Sequence, residues 1–147
     1  MAKNTIKIKK YSDVVEEMKA NAAITPGMLV EEMTTGNVRA HATPSGNAIP
    51  MFALEDELQG KTIDDAYAQN DQVQVWIPGR GDMVYGLLAV GQNITKGTFL
   101  VSNGAGYLTA LTDSASFGDD DSLKIVGVAT ESVNATAAAA RIIVRIV

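Results

Sequence analysis

The feature that most constrains the fold is a succession of short β-forming segments separated by turn residues. Apolar and polar side chains alternate through residues 72–77, and Thr35-Gly36 and Asn103-Gly104 each separate two β-rich segments. Asn-Gly in that position is the strongest short-range signal for a β-hairpin. Short strands at near-regular spacing, with turns between them, are typical of a barrel or sandwich. The sequence therefore predicts an all-β fold whose barrel domain spans residues 24–147.

The predicted strands share β-forming composition and flanking turn residues, and they lie within residues 28–34, 37–43, 72–77, 83–90, 98–101, 106–110, 123–130 and 139–147. Between them, residues 55–70 are polar and predict a long connection with a helical turn around 63–68. Residues 24–27 and 94–97 both read Ile-Thr-x-Gly. Because glycine adopts left-handed backbone conformations without a steric penalty, these two tetrapeptides predict matching turns.

Charge separates the N-terminus from the rest of the chain. The first ten residues contain four lysines and no acid, so the other 137 residues carry −9 of a total net charge of −5. Residues 5–9 alternate apolar and basic side chains, as a strand that adds to a sheet edge does. We predict that residues 1–23 form an extended docking arm whose removal leaves the body folded. A frayed terminus with chance lysines is the alternative.

One short helix is predicted within this arm. Asp13 precedes Glu16 by three residues, which is the spacing of a capping box, and Val14, Val15 and Met18 fall on one side of a helix over residues 13–20. A helix of this length is marginal without tertiary contacts. We therefore expect at most short helices in the fold.

Composition excludes several classes of function. Cysteine is absent, which excludes disulfides, thiolate zinc sites and thiol nucleophiles. An acidic chain with a pI near 4.7 is a poor ligand for polyanions, so we expect no nucleic-acid partner. No apolar run approaches the ~20 residues of a membrane span, and the basic N-terminus lacks the apolar centre of a secretory signal. We expect a soluble protein made in the cytoplasm, without a membrane partner.

Candidate catalytic and metal-binding residues are few. The single histidine, His41, lies in a predicted strand without a nucleophile motif, so a structural role is favoured. Asp64-Asp65 suggests a hydrolase hypothesis, but the pair lies in a polar stretch where solvated carboxylates are the usual outcome. Asp119-Asp120-Asp121 lacks the spacing of a calcium loop, and a solvated turn is favoured. We expect no catalytic residues, no metal and no cofactor.

Two further features bear on recognition. Arg80-Gly81-Asp82 spells a tripeptide that integrins read, so a β-barrel adhesion or receptor-binding module is the alternative function. Glycine and proline around it also explain it as the tip of a hairpin. Trp76 and Tyr85 are candidate contacts between subunits, because Trp and Tyr are enriched in interface hot spots; packing in the core is the alternative for both.

The order of several segments resembles that of capsid decoration, or cement, proteins of tailed bacteriophages. These segments follow the basic arm and are residues 25–31 (TPGMLVE), 53–60 (ALEDELQG), 63–67 (IDDAY), 80–85 (RGDMVY), 91–97 (GQNITKG), 103–108 (NGAGYL) and 126–131 (VGVATE). The resemblance covers most of the chain from about residue 24, together with the arm.

The resemblance implies a compact β-barrel or β-tulip body that does no chemistry. It implies a protein on the outside of the expanded head, binding the major capsid protein as a homotrimer at three-fold and quasi-three-fold positions. There it would hold the capsid lattice against internal DNA pressure. It also implies that the arm contacts the capsid, which in this sequence means Lys3, Thr5, Ile6, Lys7, Ile8, Lys9, Lys10 and Tyr11.

Overall fold

The described part of the chain is a succession of short strands joined by turns and by longer connections. A computed structural model describes residues 3–112 and 121–147. Within them the strands are β1 (Lys7–Lys9), β2 (Val15–Lys19), β3 (Val30–Glu32), β4 (Val38–Ala40), β5 (Phe52–Ala53), β6 (Gln72–Trp76), β7 (Met83–Leu88), β8 (Gln92–Ile94), β9 (Phe99–Ser102), β10 (Leu108–Ala110), β11 (Gly127–Ala129), β12 (Val133–Ala135) and β13 (Ala140–Ile146). The helical content of the described residues is two 3-10 turns, Glu57–Gln59 and Asp121–Leu123. The predicted all-β class is confirmed.

Five of these strands form a closed barrel in the order β7-β10-β9-β11-β13. The barrel closes because β13 returns to pair antiparallel with β7, from Ala140 opposite Leu88 to Arg145 opposite Met83. Side chains of alternate residues point inward, so Val84 and Leu88 of β7 face Ile142 and Val144 of β13 in the core. The predicted β-barrel is therefore confirmed.

The interior of the barrel is tightly filled. Gly86 lies between Val84 and Leu88 on the inward face of β7, and a Cβ atom there would be 3.0 Å from Cδ1 of Leu108. Leu100 and Leu108 are fully buried. Burial of each such side chain contributes roughly 1.5–3 kcal/mol, so this core supplies much of the stability of the fold.

A second, smaller core lies beside the barrel. Strands β2, β6 and β5 form a three-stranded sheet, and β3 pairs with β4 in a hairpin. Their buried side chains form a separate apolar cluster that includes Met18, Val30, Val73, Val75 and Tyr67. The sequence predicted strands β3, β4 and β6 of this layer, but not β2 or β5, and not that these strands form a core of their own.

The turn predictions are largely confirmed. The hairpins β3–β4 and β9–β10 form around Thr35-Gly36 and Asn103-Gly104, as expected. Gly27 and Gly97 have φ values of 91° and 93°, and in both turns the following residue donates its N–H to the threonine carbonyl. The helical turn predicted around residues 63–68 is wrong, because the 3-10 turn of this connection lies at Glu57–Gln59.

The predicted helix over residues 13–20 is also wrong. Residues Val15–Lys19 form β2, which pairs antiparallel with β6 from Trp76 to Gln72. Met18 of this strand is buried in the second core, while Val15, Glu16 and Glu17 are exposed. A single turn or two of helix forms few internal hydrogen bonds, whereas pairing with β6 satisfies the same backbone groups along the whole segment.

The N-terminal residues are extended, as predicted, but they do not stand apart from the body. Strand β1 pairs antiparallel with β7, with Lys7 opposite Val84 and Lys9 opposite Met83. Ile6 is fully buried in the barrel core. The division into a separate arm and a barrel domain therefore does not describe this fold, because the apolar side chain of the alternating segment completes the chain's own core.

Replacing Ile6 by Ala is expected to destabilise the protein by about 2–5 kcal/mol, since it removes buried methyl groups and leaves a cavity. Ile49 is 70% exposed and provides the matched control. Its replacement by Ala should change the free energy of unfolding by less than about 0.5 kcal/mol. Urea unfolding measures both. Equal stabilities of the two variants would mean that the N-terminal segment is not part of the folded body.

Candidate functional site

The exposed surface of the N-terminal segment is basic. Of the residues that the resemblance assigns to capsid contact, Lys3, Lys9 and Lys10 are exposed, and Tyr11 is 75% exposed. Thr5, Lys7 and Ile8 are partly buried, and Ile6 is inaccessible. A partner surface could therefore reach the outer lysines and Tyr11, while Ile6 serves to hold the segment in place.

Three hydrogen bonds attach this segment to different parts of the body. The Ile6 N–H donates to the Glu55 carboxylate at 3.1 Å, and the Tyr11 N–H donates to Asp82 Oδ1 at 2.6 Å. The Trp76 indole N–H donates to the carbonyl of Ser12 at 3.2 Å. Because these anchors lie at both ends of β1, folding fixes the position of the intervening lysines.

The lysines are also held by a local ion-pair cluster. Lys7 and Lys10 both pair with the Asp13 carboxylate, the second at 2.6 Å. The hydrogen bond from Lys10, followed by that from Lys7, lowers the pKa of Asp13 to about 2. The ammonium groups of Lys7 and Lys9 lie 5.7 Å and 5.5 Å from the ring centres of Trp76 and Tyr11. These contacts restrain the side chains of Lys7, Lys9 and Lys10.

Neither aromatic candidate for a subunit contact is freely exposed. Trp76 is fully buried in the barrel core, so the hypothesis that it forms a subunit contact is wrong. Its indole N–H meets a backbone carbonyl, which removes the main cost of burying a Trp. Tyr85 is half-buried on the outer side of β7, and the Arg141 guanidinium lies 5.8 Å from the centre of its ring.

Arg80-Gly81-Asp82 forms a turn, but the turn joins two sheets and is not the tip of a hairpin, because β6 and β7 do not pair with each other. Asp82 is fully buried, and its two carboxylate oxygens accept the N–H groups of Tyr11 and Gly79. A receptor that binds this tripeptide needs a free carboxylate. In this fold the carboxylate is inaccessible.

The adjacent carboxylates Asp64 and Asp65 do not converge. Asp65 Oδ2 accepts hydrogen bonds from the N–H and the hydroxyl of Thr62, which lower the pKa of this carboxyl. The Asp64 side chain is 84% exposed and lies 3.6 Å from the Arg141 guanidinium. A carboxyl group that acts as a general acid needs a raised pKa, and the contacts of Asp65 have the opposite effect.

His41 is buried between two hairpins. Its Nδ1 lies 2.7 Å from the Ser102 hydroxyl, and its Nε2 lies 3.1 Å from the carbonyl of Asn47. Since a carbonyl can only accept, Nε2 carries the proton and Nδ1 accepts from Ser102. The Ser102 oxygen accepts in turn from the Gly104 N–H, 3.0 Å away. Ser102 and His41 are both buried, so the pair ties the β3–β4 and β9–β10 hairpins together.

Two further site predictions concern acidic residues and metals. Asp119 and Asp120 of the acidic triplet lie outside the described residues. Among residues 3–112 and 121–147, no three His, Asp or Glu side chains are grouped as metal ligands. Over the same ranges, every buried side-chain nitrogen or oxygen has a hydrogen-bond partner.

No helix in the part of the chain that the structure describes is both long and apolar enough to cross a membrane.

The chain matches no protein-family model and no curated protein sequence. The geometry therefore has to carry the functional argument. In the described structure a basic, exposed segment is held in a fixed position against a closed barrel, and the residues after the first ten are acidic overall.

Sequence reasoning missed the part that Asp82 plays in holding this segment. It treated Arg80-Gly81-Asp82 as either an adhesion motif or a turn, whereas the carboxylate anchors the backbone of Tyr11, 71 residues away. The available signal was an acid placed between a glycine turn and the strand that begins at Met83. Aspartate is favoured in turns because its carboxylate accepts nearby N–H groups, but the remote donor is set by tertiary structure.

The Asp13 carboxyl is expected to titrate near pH 2 in the folded protein, well below its ordinary 3.8. Because the folded-state pKa is depressed, the stabilisation from this cluster is present above about pH 4 and is lost as the pH falls towards 2. NMR titration of the carboxyl carbon measures the midpoint. Replacing Lys10 by Ala should raise it, and replacing Lys3 by Ala should not. A midpoint near 3.8 in the unaltered protein would show that the cluster does not form.

Proposed function

We propose that this protein is a capsid decoration protein of a tailed bacteriophage, as the sequence resemblance implies. It binds the outer surface of the expanded head, where its partners are the major capsid protein and two further copies of itself in a homotrimer. It occupies three-fold and quasi-three-fold positions on the virion exterior and holds the lattice against the pressure of packaged DNA. Its role is mechanical and involves no catalysis.

The observation that carries the proposal is the position of the basic segment. Lys9 and Lys10 are exposed between two residues that are anchored to the body, the buried Ile6 and Tyr11, whose N–H is held by the buried Asp82 carboxylate, and the exposed Lys3 precedes them. A flexible arm would lose about 1–2 kcal/mol of backbone entropy per residue when it became ordered on a capsid. Here folding has already ordered the segment, so more of the contact energy remains available for binding.

The charge distribution also supports this role. Outside the first ten residues the chain carries −9, and the N-terminal segment carries four lysines. An acidic body limits adhesion to DNA and keeps the free protein dispersed at high concentration. Electrostatic attraction between the lysines and a capsid acid would orient the molecule as it approaches, so that the basic segment meets the shell first.

A decoration protein stabilises a shell by mass action. A ligand that binds the assembled lattice better than free subunits stabilises each site by RT ln(1+[L]/Kd), which is about 2.7 kcal/mol at 100 times Kd. Many copies on one shell multiply this effect. A closed barrel suits such a load because its strands leave no free edge around the barrel wall and its core is continuous.

The adhesion alternative has no comparable support. It depends on the Asp82 carboxylate, which is fully buried and occupied by the N–H groups of Tyr11 and Gly79. Exposing it to a receptor would break both of these hydrogen bonds and remove an anchor of the N-terminal segment. The burial of this carboxylate argues against adhesion through the tripeptide.

The protein is expected to co-sediment stoichiometrically with undecorated, expanded heads. A variant with Lys3→Glu and Lys10→Glu should bind at least about tenfold more weakly, because two of the three exposed lysines on the segment are reversed in charge. Lys61→Glu with Arg80→Glu makes the same change in net charge at exposed sites outside the segment and should bind normally. Heads that capture no folded protein would contradict the proposed function. Equal loss in both variants would contradict the role of the segment.

A further inference from the structure

One outward-facing row of side chains crosses four strands of the barrel wall. Met83 of β7 lies opposite Arg145 of β13, which lies opposite Val128 of β11, which lies opposite Phe99 of β9. The neighbours of these residues along each strand, such as Val84, Val144 and Ala129, face the barrel core. Because side chains alternate along a strand, the four residues share the outer face. We call this row the barrel band.

The barrel band is apolar and positively charged. Phe99 is 45% exposed, Met83 and Val128 are half-buried, and Arg145 is exposed. A shallow cleft of about 420 Å³ is lined by Met83, Val128 and Arg145 of the band and by Lys96, and none of its lining residues within 3–112 and 121–147 is acidic. Arg145 forms no ion pair with any residue in the ranges 3–112 and 121–147. An unpaired arginine between apolar side chains is typical of the centre of a protein interface.

The glutamate that follows β11 is engaged by the backbone of β13. Glu131 follows β11, and its carboxylate accepts the N–H of Ile143 at 2.9 Å. It is therefore held on the backbone of β13, two residues along the strand from Arg145. On the other side of Met83 the row continues to Lys9 of β1, which adds a further positive charge.

A surface of opposite character lies on the second core. Strand β2 is an edge strand of its sheet, and within the described structure only Met18 of its five residues is buried. Val14 and Val15 are 49% and 36% exposed, and they precede the exposed Glu16 and Glu17. Neither of these glutamates has an ion-pair partner in the described part of the chain. We call residues Val14, Val15, Glu16 and Glu17 the acidic edge.

We propose that the barrel band of one subunit binds the acidic edge of a second copy of this chain. This inference rests on the homotrimer of the proposed function and names the two surfaces that would form it. On the barrel band, apolar side chains lie beside the positive charge of Arg145. On the acidic edge, Val15 and Glu17 share the face of β2 that is turned away from Met18, so an apolar and a negative side chain are adjacent there. Burying the apolar groups supplies the attraction, and Arg145 with Glu17 sets the orientation.

The pairing of two different surfaces also fits a three-fold assembly. A two-fold dimer joins a surface to itself, and two copies of the barrel band would place Arg145 near Arg145. A heterologous contact joins unlike surfaces head to tail and closes into a ring when the rotation between subunits is 120°. The band and the edge lie on different sheets and different apolar cores, as a head-to-tail contact requires.

A charge exchange tests the pairing. Analytical ultracentrifugation of the full chain should give three times the 15.5 kDa subunit mass. Arg145→Glu and Glu17→Arg should each weaken association at least about tenfold, and the double variant that combines them should recover it. Lys61→Glu removes an exposed cation elsewhere and should remain a trimer. Urea unfolding of each variant establishes whether the subunit is folded. If the Arg145→Glu variant does not fold, Arg145→Gln takes its place as the variant that removes the positive charge.

The outcomes separate this inference from the proposed function. Loss in both single variants and recovery in the double variant supports the pairing, whether or not the trimer then binds heads. An unaltered chain that remains a monomer overturns it, as do single variants that stay trimeric. If the Arg145→Glu variant remained a trimer but no longer bound heads, the barrel band would be a surface that binds the capsid protein, and the proposed pairing would be overturned. If the variants associated as predicted but the trimer did not bind expanded heads, only the decoration role would be contradicted.

Discussion

The pairing of β7 with β13 is the interaction on which the rest of the structure depends. Six residue pairs join the last strand of the chain to a strand from its middle, and this contact closes the barrel. The other edge of β7 carries β1 at its start and β10 at its end. Strand β7 therefore sets both the closure of the core and the position of the basic N-terminal segment. Loss of this pairing would open the barrel and release that segment together.

Two buried groups, an apolar side chain and a carboxylate, hold the exposed N-terminal segment against the interior of the protein. Ile6 completes the barrel core, and Asp82 accepts the Tyr11 N–H from a fully buried position. Between these anchors the lysines are exposed but the backbone is fixed. The segment can thus present charge to a partner without a large loss of entropy on binding. Detaching the segment would leave a cavity in place of Ile6 and would remove one hydrogen bond from the buried Asp82 carboxylate. The segment is therefore expected to unfold together with the barrel.

Charge differs from one surface of the protein to the next. The body is acidic overall, the N-terminal segment is basic, and the barrel band places Arg145 among apolar side chains. A capsid partner for the segment and a second copy for the band are compatible, because they involve different residues apart from Lys9 at their border. Subunits joined through the band would bring several basic segments together, and binding through several weak contacts increases the apparent affinity of the assembly.

The sequence by itself determined the all-β class, the hairpins at Thr35-Gly36 and Asn103-Gly104, and the basic N-terminus, because these follow from local alternation, turn chemistry and charge. Only the tertiary structure decided that residues 15–19 are a strand, since pairing with β6 outweighs a weak helical preference. It also decided that Trp76 and Asp82 are buried and that Met83, Arg145, Val128 and Phe99 share one row. These outcomes depend on which distant strands meet, and on their register, and a one-residue shift in register would move every side chain to the opposite face.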